Sequence, residues 1–162
     1  MIVRREVAGD ATRDVLLAAF ETSLEAGLLD ALRADPGWLP RLSLVAERAG
    51  TVVGHVVCTR GYVASTPALG LGPLAVLPEE QGRGVGSALM HAVLGAADAA
   101  DEPFVALLGE PAYYGRFGFV AASERGIAAP DPAWGGYFQV RALTAYRPVS
   151  GTFAYAAPFS SM

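Results

Sequence analysis

The sequence predicts a mixed α/β fold, a central sheet flanked by helices on both faces, and three observations carry that prediction. Leu69 to Leu77 is apolar throughout, as is Phe104 to Leu108, the mark of strands covered on both sides. Between them Gly84 to Ala97 has a helical pattern, so strand, helix and strand together span about 40 residues, the length of one parallel βαβ unit. Upstream, the strand-like runs Leu42 to Arg48 and Thr51 to Thr59 flank Ala49-Gly50. That is a hairpin signal, because glycine readily takes the positive φ of a tight turn.

The other elements follow in order. Ile2 to Val7 reads as a short first strand. Asp10 or Thr12 is placed to cap a helical stretch in which Leu16, Phe20, Leu24, Leu28 and Leu32 recur every four positions. Gly27 is the expected break into two helices, and Asp35-Pro36-Gly37 the end. Gly61 to Ala68 reads as a loop. Within the Leu69–Leu77 strand, Gly72-Pro73 marks a bulge or an opening of the ladder, since proline has no N–H to pair. Beyond Pro111 a short helix ends at Gly118, residues 121–136 read as loop, and Tyr137–Ala142 and Thr152–Ala157 as a closing pair of strands. The order β-α(α)-β-β-β-α-β-α-β-β carries no internal repeat and predicts one domain over residues 1–162.

Composition narrows the class. The chain is 52% apolar and only 17% charged, which excludes a disordered protein. No apolar run approaches the roughly 18–20 residues of a membrane span, and Met1 to Glu6 lacks the apolar core of a signal peptide. The single cysteine, Cys58, has no partner for an internal disulfide, so a reducing cytoplasm is the expected location. A net charge of −4 argues against nucleic acid as a partner, and no membrane partner is expected. All 12 cations are arginine, which we read with the abundant alanine as genomic bias.

Gln81-Gly82-Arg83-Gly84-Val85-Gly86-Ser87 lies between a buried strand and a helix. The first N–H groups of a helix lack internal partners, and its dipole adds partial positive charge there. Glycines at 82, 84 and 86 let the backbone approach closely, which makes a cradle suited to a phosphate or pyrophosphate. Arg83 and Gln81 stand at its rim. It is no Walker loop, because the chain has no lysine, and a Rossmann G-x-G-x-x-G fails at Ser87. The glycines by themselves fit an ordinary turn without ligand as well as they fit an anion site.

The longer string Leu74 to Leu89, with Val76-Leu77-Pro78 ahead of Gln81-Gly82-Arg83-Gly84-Val85-Gly86, closely resembles the acetyl-CoA signature of the GNAT superfamily of N-acetyltransferases. Tyr114-Gly115-Arg116-Phe117-Gly118-Phe119 resembles that superfamily's Y-x-x-x-G-F element. Leu108 to Phe119 and the tail Pro148 to Thr152 further resemble its YhbS-like bacterial subgroup. The resemblance implies a GNAT-like mixed sheet, splayed where the Leu74–Val76 strand parts from Phe104–Leu108. It also implies acetyl-CoA as co-substrate; no cluster of His, Cys or carboxylates has metal-ligand spacing, so no metal is expected. The pantetheine arm would pair with the backbone of Leu74, Ala75 and Val76, and the pyrophosphate would rest on Gln81, Gly82, Arg83, Gly84, Val85, Gly86 and Ser87.

By the same resemblance Tyr114 is the general acid to the CoA sulfur, and a backbone N–H near Val76 polarises the carbonyl. A phenol of pKa about 10 can protonate a thiolate whose acid has pKa about 8.5. The other role open to Tyr114 is packing with Tyr113, Phe117 and Phe119, and Tyr113 itself reads as packing or as a CoA wall. The base stays open: a water chain, Glu110 or His55. Glu110 also reads as a helix cap, His55 as a packed strand histidine and Glu47 as a solvated group. Cys58, on a strand, reads as no nucleophile. The implied reaction moves acetyl to the primary amine of a small molecule or a protein. The amine would enter between Gly61–Ala68, the early helices and Ala121–Gly136, with Trp134 and Tyr62 as walls. A non-catalytic acyl-CoA-binding module is the alternative, and a homodimer is left open because family members are often dimers.

Overall fold

A computed structural model describes residues 1–161. Its strands are β1 (Ile2–Arg5), β2 (Ser43–Arg48), β3 (Thr51–Val63), β4 (Thr66–Val76), β5 (Phe104–Leu108), β6 (Val120–Ala121), β7 (Ile127–Ala128), β8 (Phe138–Ala142) and β9 (Gly151–Ala154). The helices are α1 (Thr12–Ala19), α2 (Leu24–Arg33), α3 (Val85–Ala99) and α4 (Pro111–Tyr114). The sheet runs β1-β2-β3-β4-β5-β8-β6, antiparallel except for the parallel pair β4 and β5. Among the described residues no helix is long and apolar enough to cross a membrane.

Alternation along the central strands sends side chains to two cores. Val56, Cys58, Leu69, Leu71, Val105 and Leu107 meet Leu89, Met90 and Val93 of α3 on one face. Val57 and Ala75 meet Val15 and Leu16 of α1 and Ala26 and Leu29 of α2 on the other. The expected helices on both faces are present.

Several details depart from the sequence reading. The early helical stretch breaks at Phe20–Ser23, where Phe20 is extended (φ −112°, ψ 149°) and the Thr22 hydroxyl accepts the Leu24 N–H at 3.3 Å. Gly27 sits inside α2, its N–H bonded to Ser23 O at 2.9 Å, since a glycine costs a helix only about 1 kcal/mol. The helix axis changes at the break, so the every-fourth-residue stripe is not continuous: Leu16 and Leu32 are buried but Leu24 is exposed. Neither Asp10 nor Thr12 caps α1. Asp10 is taken by Arg4 (2.9 and 3.0 Å) and by the Val7 N–H, and Ala11 holds the cap position.

The loop expected at Gly61–Ala68 is the tip of a long β3–β4 hairpin, turning at Ala64-Ser65. Its β3 end is further paired by β9 through Tyr62↔Ala154 and Val63↔Phe153, which keeps the backbone satisfied. The closing strands do not pair with each other. β8 covers the edge of β5 that β4 leaves open, and Phe138 and Val140 share a core with Phe104 and Ala106. β9 instead pairs with β3 and with β7, one of two short strands inside the stretch read as loop.

The N-terminal face holds a buried polar chain. His55 is fully buried on β3; its Nε2 lies 2.9 Å from Ser43 Oγ, which donates to Glu6 Oε1 at 2.8 Å, and Arg33 Nη1 donates to Glu6 at 2.7 Å. Burial depresses the His55 pKa below 6.5, more than the Glu6 charge raises it. Burial alone would raise Glu6, but the bonds from Arg33 and Ser43 outweigh it and hold the carboxyl below 4.5. Both shifts have one sign: at acid pH the unfolded chain binds protons that the native chain does not. Stability is therefore complete above the ordinary histidine pKa of 6.5 and falls with pH, first through His55 and then through Glu6. Thermal melts by circular dichroism check this; a melting temperature constant from pH 7.5 to 4 would refute it.

Candidate active site

The sheet opens at its one parallel pair. β4 and β5 share only Leu69↔Val105 and Gly70↔Ala106, after which β5 stays with β8 and β4 stays with β3. Gly72 (φ 142°) and Pro73 form a bulge opposite Val57, as the missing proline N–H predicted. Beyond it the β5-facing edge of β4 is unpaired. Leu77 N–H donates to Val53 O at 2.9 Å. Alternation in an antiparallel ladder then turns the Val76 N–H and C=O away from β3 and into the gap. Consistently, Val76 O accepts from Gln81 Nε2 at 3.1 Å.

The glycine turn follows directly. Gly82 (φ 73°) and Gly84 (φ 85°) are left-handed, and Gly84 is the cap residue just before α3, 15 residues long. A Cβ on either would meet nothing within 4 Å, so these glycines serve backbone shape and leave open space above the helix N-terminus. At Gly86 a Cβ would come within 2.8 Å of the Tyr113 hydroxyl, which packs over the turn. A cavity of about 400 Å³ results, lined by Val76, Gln81, Gly82, Gly84, Gly86 and Ser87, with Glu80, Tyr113 and Arg116 around them.

Arg83 is not among the residues lining this cavity; its guanidinium pairs with Glu80, on the cavity's border, at 3.0 Å. The arginine present is Arg116, which donates to Ser87 Oγ at 2.9 Å and lies over the Tyr113 ring at 5.1 Å. The sequence reading missed it, although it stands inside the Tyr114–Phe119 motif. Only the packing of α4 and the turn after it against α3 brings it to the cradle. Ala75 and Val85 are buried and face the cores, so they border the region through main chain alone.

A second cavity, of about 470 Å³, lies at the other end of the gap. Leu71 to Leu74, Leu107, Leu108 and Tyr114 line its β4–β5 side, and Phe20, Leu28, Trp134 and Tyr155 are among the residues opposite. Tyr114 ends α4, a helix set by Pro111 at its first position and by Glu110, whose carboxylate accepts the Ala112 N–H at 3.3 Å. The Tyr114 ring lies against Gly109, where a Cβ would collide with it, and meets Tyr113 edge-on at 4.8 Å and Phe119 at 6.0 Å. Burial, then the neighbouring Tyr113, pushes the Tyr114 pKa up to about 12, so the hydroxyl is protonated across the physiological range.

Other expected participants stand elsewhere. Glu110 serves as the cap, and His55 belongs to the buried Ser43–Glu6 chain, bordering neither cavity. Glu47 is ion-paired with Arg4 at 3.1 Å and is less exposed than expected. Cys58 is wholly buried, and desolvation pushes its thiol far up, away from the nucleophilic thiolate. Trp134 lines the second cavity, whereas Tyr62, exposed at the hairpin tip, does not. Among the described residues no group of three His, Cys, Asp or Glu side chains is placed to hold a metal ion.

An opened parallel pair beside a helix N-terminus, with a tyrosine at the gap, defines a protein of the N-acetyltransferase class. The sequence profile of the acetyltransferase (GNAT) domain matches residues 40–121. The chain is 32% identical over 161 residues to the uncharacterised N-acetyltransferase YhbS of Escherichia coli K12, covering 96% of each chain. It is 39% identical over 125 residues to YjhQ of the same organism, covering 74% of this chain and 69% of that one. A crystal structure of YhbS in complex with CoA superimposes with a TM-score of 0.89 at 31% identity, over 98% of this chain and 91% of that one. A GNAT family acetyltransferase from Brucella melitensis in complex with acetyl-CoA gives 0.79 at 34% identity, over 98% and 97%. The chain belongs to the GNAT family of N-acetyltransferases.

Proposed function

We propose that residues 1–162 act as one acetyltransferase domain that moves an acetyl group from acetyl-CoA to a primary amine of a small molecule. The observation that carries this reading is the pair of cavities at the two ends of the β4–β5 gap, with Tyr113 on one and Tyr114 on the other. CoA and acetyl-CoA in the two similar crystal structures support the choice of donor.

The residues fit such a donor. The edge of β4 at Leu74 and Val76, where Gln81 engages the Val76 C=O, offers backbone N–H and C=O groups to a pantetheine amide chain that can take Gln81's place. The main chain of Gln81 to Ser87 and the Arg116 guanidinium suit the pyrophosphate. When bound, acetyl-CoA supplies the activated thioester. The Val76 N–H, aimed into the gap, is the candidate to stabilise charge on the carbonyl oxygen. The new C–N bond forms as the C–S bond breaks; Tyr114 gives its proton to the sulfur, and the amine's protons pass to water, one of them restoring the phenol. Water serves as base because Glu110 and His55 are engaged elsewhere.

Two measurements test the reading. Calorimetry is expected to show saturable acetyl-CoA binding, and thiol release over a panel of primary amines is expected to show turnover. No binding would overturn the donor assignment. Binding without turnover of any amine would leave a CoA-binding module in its place.

A further inference from the structure

We infer that the acceptor is a primary monoamine on an apolar body, aromatic or alkyl, with Glu25 receiving its ammonium group on entry, before that nitrogen gives up its protons to water and attacks the thioester. The inference rests on the reading above that acetyl-CoA occupies the gap. The cavity of about 470 Å³ beside Tyr114 is within the usual range for small ligands, and its lining is overwhelmingly apolar. Leu108 is 46% exposed within that lining, an apolar side chain left at solvent on the floor. Trp134, Tyr155 and Phe159 form one continuous wall, with ring centroids 6.4 Å apart for the first pair and 4.6 Å for the second. Phe159 reaches it because the C-terminal turn Ala157–Ser161 packs beside Leu28 and Leu32 of α2.

Among the described residues Glu25 is the one charged side chain on this lining. It stands in the first turn of α2, half-buried, with the Thr22 hydroxyl at 3.5 Å. Among the described residues no arginine or histidine forms an ion pair with it. One carboxylate in an apolar cleft neutralises one ammonium. Among the described residues this wall offers no second anion for the further charges of a polyamine and no cationic side chain for the carboxylate of an amino acid. Both carry a desolvation cost that a hydrocarbon body avoids.

The test is thiol release with acetyl-CoA and five probes: hexylamine, phenethylamine, methylamine, spermidine and lysine. Hexylamine and phenethylamine are expected to exceed spermidine and lysine in kcat/KM by about tenfold or more. Glu25→Gln is expected to raise KM for hexylamine about five- to tenfold, with the acetyl-CoA KM unchanged. Glu25→Asp should recover part of the loss. A role confined to the α2 N-terminus would instead lower the melting temperature and leave the amine KM alone. Leu108→Ser is expected to weaken hexylamine several-fold and methylamine little, because only the longer amine covers that side chain.

Preference for spermidine or lysine, no turnover of any probe despite acetyl-CoA binding, or indifference of the amine KM to Glu25→Gln overturns the inference. So does a preference for octanoyl-CoA over acetyl-CoA without discrimination among amines, which assigns the apolar walls to the donor. Failure of acetyl-CoA to bind in calorimetry defeats the underlying donor reading and is seen separately.

Discussion

Tyr114→Phe is expected to lower kcat by about 10²-fold, the lower end of what a positioned proton donor contributes, with acetyl-CoA affinity unchanged within about twofold. The ring is held on three sides, by Gly109, by Tyr113 at 4.8 Å and by Phe119 at 6.0 Å. Phenylalanine keeps all of these contacts and removes one oxygen, so melting temperature is expected to move little. Burial raises the Tyr114 pKa to about 12, which keeps the proton in place until a thiolate forms beside it. The same shift predicts no loss of kcat from Tyr114 ionisation below about pH 10. Stopped-time thiol assays from pH 6 to 10 with wild type and variant decide the matter. Full activity in the variant would remove the proton-donor role and leave Tyr114 as packing.

Gly84→Asp is expected to weaken acetyl-CoA binding about 100-fold while the protein stays folded. Gly84 has φ 85° and open space around its absent Cβ, and aspartate is among the few residues that tolerate the left-handed region. Its backbone cost of about 1 kcal/mol is largely offset by a carboxylate at the N-terminus of α3, worth about 0.3–1 kcal/mol. The same carboxylate stands where the donor's pyrophosphate is expected. A repulsion of about 2.7 kcal/mol at close range corresponds to the 100-fold loss. Gly84→Asn keeps the shape without the charge and is expected to lose about tenfold or less. Calorimetry on both variants, with melting curves as the control for folding, separates charge from geometry. Equal losses in the two would mean that the turn acts through its shape and not through its positive potential.

Local signals carried much of the site. The apolar runs at Leu69–Leu77 and Phe104–Leu108, the glycines at 82, 84 and 86 and the tyrosine of the 114–119 motif are all visible to neighbours a few residues away. The bulge at Gly72-Pro73 was legible because a missing N–H is a property of one residue wherever it sits. What failed depended on partners far along the chain. The Phe20–Ser23 break was misplaced to Gly27 because packing of two helices, and not helix propensity, decides where an apolar stripe ends. Arg83 stands beside the glycines in sequence, whereas Arg116 reaches the cradle only through the packing of α4 against α3. Arg83 is instead paired with Glu80, which Arg48 also holds at 2.8 Å.

Residue type and short spacing thus marked a possible main-chain anion site, since a buried strand, a glycine turn and a helix N-terminus follow one another there, and the resemblance of the longer string Leu74 to Leu89 to the GNAT signature gave the class. The second cavity, which we propose as the acceptor side, is built by tertiary packing. Phe20 and Glu25 come from the early helices, Leu108 from β5, Trp134 from the segment before β8 and Phe159 from the C-terminal turn. No periodicity links those positions. They converge because β8 and β9 close different edges of the sheet and carry their flanking aromatics to the mouth of the gap, a result of burial summed over the whole chain.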